Sequence, residues 1–249
     1  MRWRVGAAAL ATALIYTAVA VTTWQVGRPR LPQLAAVQSA VDEAIVTVAG
    51  AVGTSVAIEV GSLTTAATCD RLVIARGFRF TRTADIYTDP GAEIAVVGRI
   101  AAAVGQPAPA TSSLTATTTN GVTLSVAPIA EGWLAATAQT GCRTGAVPSQ
   151  TRSDRPPEVI ASLFATLGTT AASWHSEALP CPGGRLTAED AISEPTGTGD
   201  LADRLAVPPT ARLIVSPANR VIWREGAVST VVAASDDGTR ITVQRTAVC

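Results

Sequence analysis

Four cysteines constrain the fold of this chain more than any other feature: Cys69, Cys142, Cys181 and Cys249. They contain no Cys-x-x-Cys pair and the chain has a single histidine, so the close ligand pairs that are typical of a structural zinc site are missing. Four cysteines allow three disulfide pairings. The choice between these pairings depends on an internal repeat.

Two stretches of the sequence share one order of features. Each opens with Arg, an apolar residue and Thr, at 79–81 and at 185–187, and the next cysteine follows the Arg after 63 and 64 positions. A cysteine and an amphipathic helix pattern precede each stretch, and a short helical pattern and strand-like runs follow it. We interpret the stretches as diverged copies of one unit; chance similarity in a chain rich in Ala, Thr and Val is the alternative.

The repeat predicts how the chain is divided and how its cysteines pair. We expect a short cytoplasmic end and a membrane-spanning helix at 1–30, a first α+β unit at 31–146, a linker at 147–153 and a second α+β unit at 154–249. Pairing within each unit gives Cys69–Cys142 and Cys181–Cys249, each worth about 4 kcal/mol in the chain-entropy model. The predicted fold class is α+β, with antiparallel strands and one disulfide in each of two similar tandem units.

The N-terminal segment 5–27 contains no charged side chain. As a helix it spans roughly 34 Å, enough to cross a hydrocarbon core of about 30 Å. Trp3 and Trp24 would lie about 31 Å apart along that helix, where interfacial aromatic residues are found, and arginines flank both ends. The segment is therefore predicted to be an uncleaved signal-anchor helix.

A cleavable signal peptide is the alternative interpretation of this segment. Its apolar region would run from Val5 to Tyr16, and Ala18-Val19-Ala20 would form the cleavage site. The apolar stretch continues to Val26, which favours the anchor. Because disulfides persist in oxidising compartments, we expect a single-pass membrane protein whose C-terminal domain is extracytoplasmic.

The charged residues exclude several functions. All nineteen basic residues are arginine, so no lysine is available for a Walker A loop, a Schiff base or a Ser-x-x-Lys nucleophile. Beyond Arg30, fifteen arginines stand against nineteen acidic residues, and no basic run could hold nucleic-acid phosphates. No metal, nucleotide or flavin motif is visible. We therefore expect no cofactor, no metal site and no nucleic-acid partner.

Few residues qualify as catalytic candidates. His175 is the single histidine, and no Gly-x-Ser-x-Gly sequence accompanies it, so a surface or half-buried position is the simplest interpretation. Glu189 and Asp190, if they lie in a strand, would point to opposite faces and could not share a site. The sequence assigns no catalytic residue.

Three tryptophans outside the N-terminal segment could form sugar-binding platforms: Trp133, Trp174 and Trp223. Aromatic residues make up only 4% of the chain, and these three lie in strand-like runs, so we predict that they are core or half-buried residues. No binding residue follows from them.

Local patterns predict the main elements. Apolar residues at helical spacing predict a helix over 34–52, with Asp42 and Glu43 opposite its apolar side. Asp89, followed by Pro90, predicts a capped helix start. Runs rich in β-branched and aromatic residues predict strands at 55–68, 72–86, 212–216, 221–224, 228–234 and 240–248. Asn120-Gly121 and the turn at 236–239 predict hairpins.

Three functions are compatible with these observations. The leading expectation is a non-enzymatic module at the outer face of a membrane that binds a protein partner or a cell-envelope component, because tethering raises its local concentration there. The first alternative is an envelope hydrolase that uses carboxylates or a Ser/His pair. The second is a secreted binding protein for a small ligand, with a cleft between its two units.

Overall fold

The computed structural model describes residues 33–34, 37–70, 76–118, 120–147, 152–153, 155–215 and 219–249. The predicted membrane helix and the alternative cleavage site lie outside these residues. Within the described ranges, no helix combines the length and the apolar character that a membrane span requires.

The described chain alternates short helices with antiparallel strands. Its first half contains α1 (Gln38–Ala51), β1 (Ala57–Val60), β2 (Thr64–Asp70), β3 (Arg76–Tyr87), α2 (Glu93–Ala103), β4 (Leu114–Thr117), β5 (Val122–Ala130) and β6 (Trp133–Thr140). Its second half contains α3 (Glu158–Thr166), β7 (Ala171–Cys181), β8 (Gly184–Ser193), α4 (Leu201–Arg204), β9 (Arg212–Val215), β10 (Arg220–Glu225), β11 (Val228–Ala234) and β12 (Ile241–Ala247).

The strands form two six-stranded antiparallel sheets that repeat one topology. Sheet 1 has the order β1-β3-β6-β5-β4, with β2 also paired to β3, and sheet 2 has the order β7-β8-β12-β11-β10-β9. β1 and β2 lie end to end along β3, and together they take the place that the long strand β7 has beside β8. In both sheets the last strand in sequence lies beside the inner strand of the first hairpin: β6 lies beside β3, and β12 lies beside β8. The prediction of two similar α+β units is confirmed.

The disulfides occupy equivalent places in the two sheets. Cys69 in β2 is bonded to Cys142, and Cys181 at the end of β7 is bonded to Cys249. Cys142 and Cys249 each stand two residues after the last strand of their sheet. The predicted pairing is confirmed. Such bonds suggest an oxidising environment, of which the extracytoplasmic space is an example.

Each sheet packs helices against one of its faces. Val41 and Ile45 of α1 lie in one core cluster with Phe80 and Ile86 of β3. In the second cluster, Phe164 of α3 packs with strand residues of sheet 2. These helices are amphipathic, and their apolar faces pack against apolar side chains of the sheets.

The two sheets also share a core. Leu179 of β7 and both Leu186 and Ala188 of β8 belong to the cluster that α1 and sheet 1 form. Sheet 2 therefore has α3 and α4 on one face and contributes its opposite face to the first core. Apolar burial of this kind is the main stabilising term in folding, so the halves are expected to depend on each other.

Two local predictions are wrong. Asp42, predicted opposite the apolar side of α1, is only 6% exposed because it faces a buried arginine of β3. Asp89 does not cap α2, because Pro90 and Gly91 form a turn and the N-cap position falls at Ala92, which makes no side-chain capping bond. Asp89 instead pairs with Arg212 of β9.

Both predicted hairpin turns are confirmed. The Asn120-Gly121 turn joins β4 to β5, and residues 236–239 join β11 to β12. Gly121 and Gly238 have φ angles of 70° and 65°, a left-handed conformation that glycine adopts without strain.

Candidate functional site between the two sheets

Strand β1 connects the sheets, because it is an edge strand of sheet 1 that lies against a face of sheet 2. Its free edge would leave backbone amides unpaired, and hydroxyl groups of sheet 2 accept their hydrogen bonds. The Ile58 amide donates to Ser229 Oγ at 3.0 Å, and the Val60 amide donates to Thr246 Oγ1 at 3.1 Å. Buried Arg224 of β10 donates to the Val56 carbonyl just before β1.

A fully buried arginine, Arg82 of β3, ties three elements together beside this strand. Its Nε donates to Asp42 Oδ1 of α1 at 3.1 Å, and its two Nη atoms donate to the Glu177 carboxylate of β7 at 2.6 and 2.9 Å. Nη1 also donates to the Gly61 carbonyl at 3.0 Å. Arg82 thus joins α1, the break between β1 and β2, and sheet 2.

The Arg82 cluster places two carboxylates on one cation. Burial raises the pKa of Asp42 above its ordinary value; the charge of Arg82 opposes this effect and the charge of Glu177 adds to it. The Glu177 side chain is 26% exposed, whereas that of Arg82 is 0% exposed. Glu177 is therefore the part of the cluster that reaches solvent.

Glu177 opens into a pocket of about 290 Å³ between the sheets, which we name the junction pocket. Val60 and Thr64 come from β1 and β2 of sheet 1, and Gly61 and Ser62 come from the segment between these strands. Sheet 2 contributes His175, Glu177, Ala188, Glu189, Asp190 and Gln244, and Arg152 completes the lining. Neither sheet forms this pocket alone.

The strand register explains the polar wall of the junction pocket. His175 of β7, Asp190 of β8 and Gln244 of β12 are direct cross-strand partners in one row of sheet 2. Directly opposed residues project from the same face, so these side chains are neighbours. Glu177 lies two positions after His175 in β7, and therefore on the same face.

The three acidic residues that line the junction pocket all pair with arginines. Asp190 pairs with Arg152 at 3.0 Å, and Glu189 pairs with Arg245 at 3.0 Å. Glu177 is held by Arg82 as described above. Ion pairing fixes the positions of these oxygens, which suits hydrogen-bonded recognition of a polar ligand.

A second pocket of about 290 Å³ lies at the other end of the contact between the sheets, and we name it the aromatic pocket. Its lining consists of Tyr87, Ala130, Glu131, Gly132, Trp133, Val215, Asn219, Arg220 and Ile222. The Tyr87 and Trp133 rings lie 5.7 Å apart, and the Arg220 guanidinium lies 4.7 Å from the centre of the Trp133 ring. Cation–π attraction holds a guanidinium in this position.

Behind the aromatic pocket, Glu59 of β1 and Asp85 of β3 are cross-strand partners. The Tyr87 hydroxyl donates to Glu59 Oε2 at 3.3 Å, and Trp133 Nε1 donates to Asp85 Oδ1 at 3.0 Å. Burial, and then the charge of Asp85, raise the pKa of Glu59 to about 7, although Arg220 opposes the shift. Burial also raises the pKa values of Asp85 and Tyr87 above their ordinary values. Glu59 therefore titrates near neutral pH.

The candidates from the sequence have mixed outcomes. His175 is half-buried, as expected, and it lines the junction pocket. Glu189 and Asp190 pair with different arginines, as alternate strand positions require, yet both line this pocket. Both residues lie in β8, so their side chains project to opposite faces of sheet 2, as expected, and a strand can line a pocket through its main chain as well as its side chains.

The tryptophan prediction is confirmed for the three residues of the folded part. Trp133 and Trp174 are half-buried, and Trp223 is 5% exposed. Trp174 and Trp223 pack with the second core cluster. Trp133 differs from them, because its ring forms part of a pocket wall.

Sequence reasoning missed the charged residues that organise the site. Arg82 had a signal, because the alternation from Phe80 to Ile86 places it on the apolar face of its strand. Glu59 and Arg220 had no comparable signal, since their surroundings come from strands far apart in the sequence. No metal site was predicted, and among the residues that the structure describes no group of three or more His, Cys, Asp or Glu could hold a metal ion.

Comparisons of this chain with protein-family models, with curated proteins and with solved structures yield no match. A functional interpretation must therefore come from the geometry of the two pockets.

Proposed function

We propose that this chain is a non-enzymatic binding module, held at the outer face of a membrane by residues 5–27, which binds a protein partner or a cell-envelope component in the junction pocket. The observation that carries this proposal is the pocket itself, which both sheets build and whose lining includes Glu177, Asp190 and Gln244. Concave sites between packed units are common places for ligands.

The rigidity of the junction pocket supports binding. Arg82 fixes Glu177 from within the protein, and Arg152 pairs with Asp190 on the neighbouring strand. A site whose side chains are already in position loses little conformational entropy when a ligand arrives. The carboxylate oxygens and the Gln244 amide can accept or donate hydrogen bonds to a polar ligand without rearrangement of the core.

The predicted location fits this function. Two disulfides suit an oxidising compartment, and a tether at the N-terminus would keep the pocket close to membrane or envelope partners. Confinement near a surface increases the effective concentration of a weak binder, so moderate affinity is sufficient.

The test is site-specific photo-crosslinking of the full chain in its native host. A photoreactive residue at Thr64, on the rim of the junction pocket, is compared with one at Thr115, which is exposed on the far strand β4. We expect a crosslinked product from position 64 and none from position 115. Equal products from both positions, or no product from position 64, would contradict the proposal.

A blocking substitution makes this experiment specific. S62W fills the junction pocket, and S113W adds the same side chain to an exposed loop. We expect S62W to abolish the product from position 64 and S113W to preserve it, with circular dichroism showing that both variants are folded. A product that persists in folded S62W would place the partner elsewhere.

The envelope hydrolase remains a second candidate, because His175 and Asp190 are cross-strand neighbours in the junction pocket. It predicts that the purified chain releases soluble fragments from isolated envelope material, and that H175A, E189Q or D190N stops the release. The binding module predicts no release by the unmodified chain. Release that one of these substitutions abolishes would replace our proposal with the hydrolase.

A further inference from the structure

The lining of the aromatic pocket includes an arginine that lies over aromatic rings. Arg220 lies over Trp133, and it also lies 5.8 Å from the centre of the Tyr87 ring. None of the ion pairs found among the described residues involves Arg220. A hydrogen bond of 3.4 Å to the Tyr87 hydroxyl uses one of its donors. A guanidinium has five donors in a planar fork, so further N–H groups can face the pocket.

We propose that the aromatic pocket is a second binding site, which takes the carboxylate of a small acid, such as an acidic sugar, through the Arg220 guanidinium. A guanidinium held flat against an aromatic ring is already oriented, and its fork matches the two oxygens of a carboxylate. Asn219 lines the same pocket and can add an amide donor. This site goes beyond the proposed function and uses none of the residues that line the junction pocket.

The dimensions and lining of the aromatic pocket restrict the ligand. About 290 Å³ is near the lower end of the range for small-molecule sites, so a ligand of monosaccharide size is appropriate. Trp133 and Tyr87 supply apolar surface against which the carbon skeleton of a sugar can pack. Glu131 also lines the pocket, and its negative charge opposes the binding of an anion there.

The carboxylates behind Arg220 should make the affinity of the aromatic pocket depend on pH. Glu59 and Asp85 both interact with the charge of Arg220, and Tyr87 and Gln244 are the other polar groups that face Glu59. Protonation of Glu59 removes one internal competitor for this cation. Binding of a carboxylate to Arg220 should therefore favour the protonated form of Glu59 and should strengthen as the pH falls.

The experiment is calorimetric titration of the full 249-residue chain with D-glucuronate, using D-glucose as the matched neutral sugar. We expect glucuronate to bind and glucose not to bind. R220Q should lower the affinity at least tenfold, whereas R185Q, which removes an exposed arginine from the tip of the β7–β8 hairpin, should not change it. Near-ultraviolet circular dichroism shows whether R220Q keeps its native packing; if it does not, N219A, with a several-fold loss expected, replaces it.

Three results would overturn the site: no binding of glucuronate, equal binding of glucose, or unchanged affinity in folded R220Q. Inorganic phosphate is the competing anion, and displacement of glucuronate by phosphate at equal concentration would overturn the carboxylate assignment. E131Q should increase the affinity for glucuronate, because it removes the repelling charge. S62W should not change it, so failure of the junction pocket and failure of this site are distinguishable.

The substitution E59Q tests the pH dependence of glucuronate binding. The unmodified chain should bind glucuronate several-fold more tightly at about pH 5.5 than at about pH 8. In E59Q the affinity should be nearly the same at both pH values, and close to the value of the unmodified chain at the lower pH. A pH dependence that persists in E59Q would overturn the role of Glu59.

Discussion

At the residue scale, Arg82 is the side chain on which the junction between the sheets most depends. It is 0% exposed, and its partners come from α1, from the segment after β1 and from β7. A buried ion pair is weak evidence for net stabilisation, because both partners lose their hydration. Removal of one partner is different, since it leaves the other charges buried and uncompensated.

We therefore expect R82A to lower the free energy of unfolding by about 3–5 kcal/mol, because Asp42 and Glu177 lose their shared cation. Urea denaturation at neutral pH measures the change. R79A is the matched control: Arg79 is exposed in the same strand, so its substitution should cost less than about 0.5 kcal/mol. A cost below about 1 kcal/mol for R82A would contradict the role of this arginine.

The stability of the protein should depend on the protonation of Glu59. Its pKa is raised from 4.5 to about 7, so between these values the folded state binds more protons than the unfolded state. The free energy of unfolding must then fall as the pH rises through this window. E59Q should make the protein more stable at about pH 8 and should weaken the dependence of the free energy of unfolding on pH in this window. E131Q should leave this pH dependence unchanged.

Urea denaturation of the unmodified chain, E59Q and E131Q at about pH 5 and about pH 8 measures these free energies of unfolding. Burial raises the pKa values of Asp85 and Asp42 in the same direction, so E59Q should retain a smaller slope at the acidic end. An E59Q profile that matches that of the unmodified chain would show that Glu59 does not carry the effect.

The residue scale is also where sequence reasoning was weakest. The apolar alternation around Arg82 was visible, but its partners Asp42 and Glu177 stand 40 and 95 positions away. Helical periodicity alone assigned Asp42 to the wrong side of α1. His175 and Asp190 could be seen as candidates, but only the strand register shows that they are neighbours.

At the scale of elements, β1 joins the sheets through side-chain hydroxyls that bind its edge. Ser229 of β11 and Thr246 of β12 accept hydrogen bonds from the amides of Ile58 and Val60. This arrangement protects an edge strand that would otherwise be free to pair with another chain.

T246V should therefore destabilise the protein by about 1–3 kcal/mol, because it keeps the shape of the side chain but leaves the buried Val60 amide without its acceptor. T115V is the control, since Thr115 is an exposed residue of β4. Hydrogen exchange gives a second readout: the Val60 amide should exchange faster in T246V than in T115V. Equal stability and equal exchange in both variants would contradict the role of this hydroxyl.

Elements with strong local signals were predictable. The predicted strands at 212–216 and 228–234 correspond to β9 (Arg212–Val215) and β11 (Val228–Ala234). The run at 55–68 was predicted as one strand. The structure has two strands there, β1 and β2, because residues 61–63 interrupt the extended conformation. The Gly61 carbonyl binds Arg82 at this break, a tertiary contact that propensity cannot show.

At the scale of the whole molecule, the described residues should unfold as one cooperative unit. Residues of β7 and β8 lie in the core that α1 and sheet 1 build, so neither half buries its apolar surface alone. The disulfides span 73 and 68 positions, and the chain-entropy model gives loops of this size about 4 kcal/mol each.

The paired substitutions C69S/C142S and C181S/C249S should each lower the stability by about 2–5 kcal/mol, and by similar amounts, since their loops have similar lengths. Each variant should still show a single unfolding transition, with circular dichroism and tryptophan fluorescence coinciding. Two separated transitions would show that the sheets fold independently and would contradict the shared core.

The repeat was the most informative feature of the whole sequence, because the matched cysteine spacing is recognisable even where the side chains differ. It led to the correct disulfide pairing and to two similar sheet units. It could not show how the two units pack against each other, since this depends on contacts such as Val60 with Thr246 that have no counterpart in local sequence patterns.

We propose that the two disulfide-tied units lie outside the cytoplasm and that an intact N-terminal anchor tethers them to the membrane. The most direct test is the mass of the intact, non-reduced chain purified from the membrane fraction of its native host. We predict a mass that includes residues 1–20, with four thiols available for alkylation only after reduction. A chain that begins at Val21, or four thiols that are free before reduction, would contradict the claim.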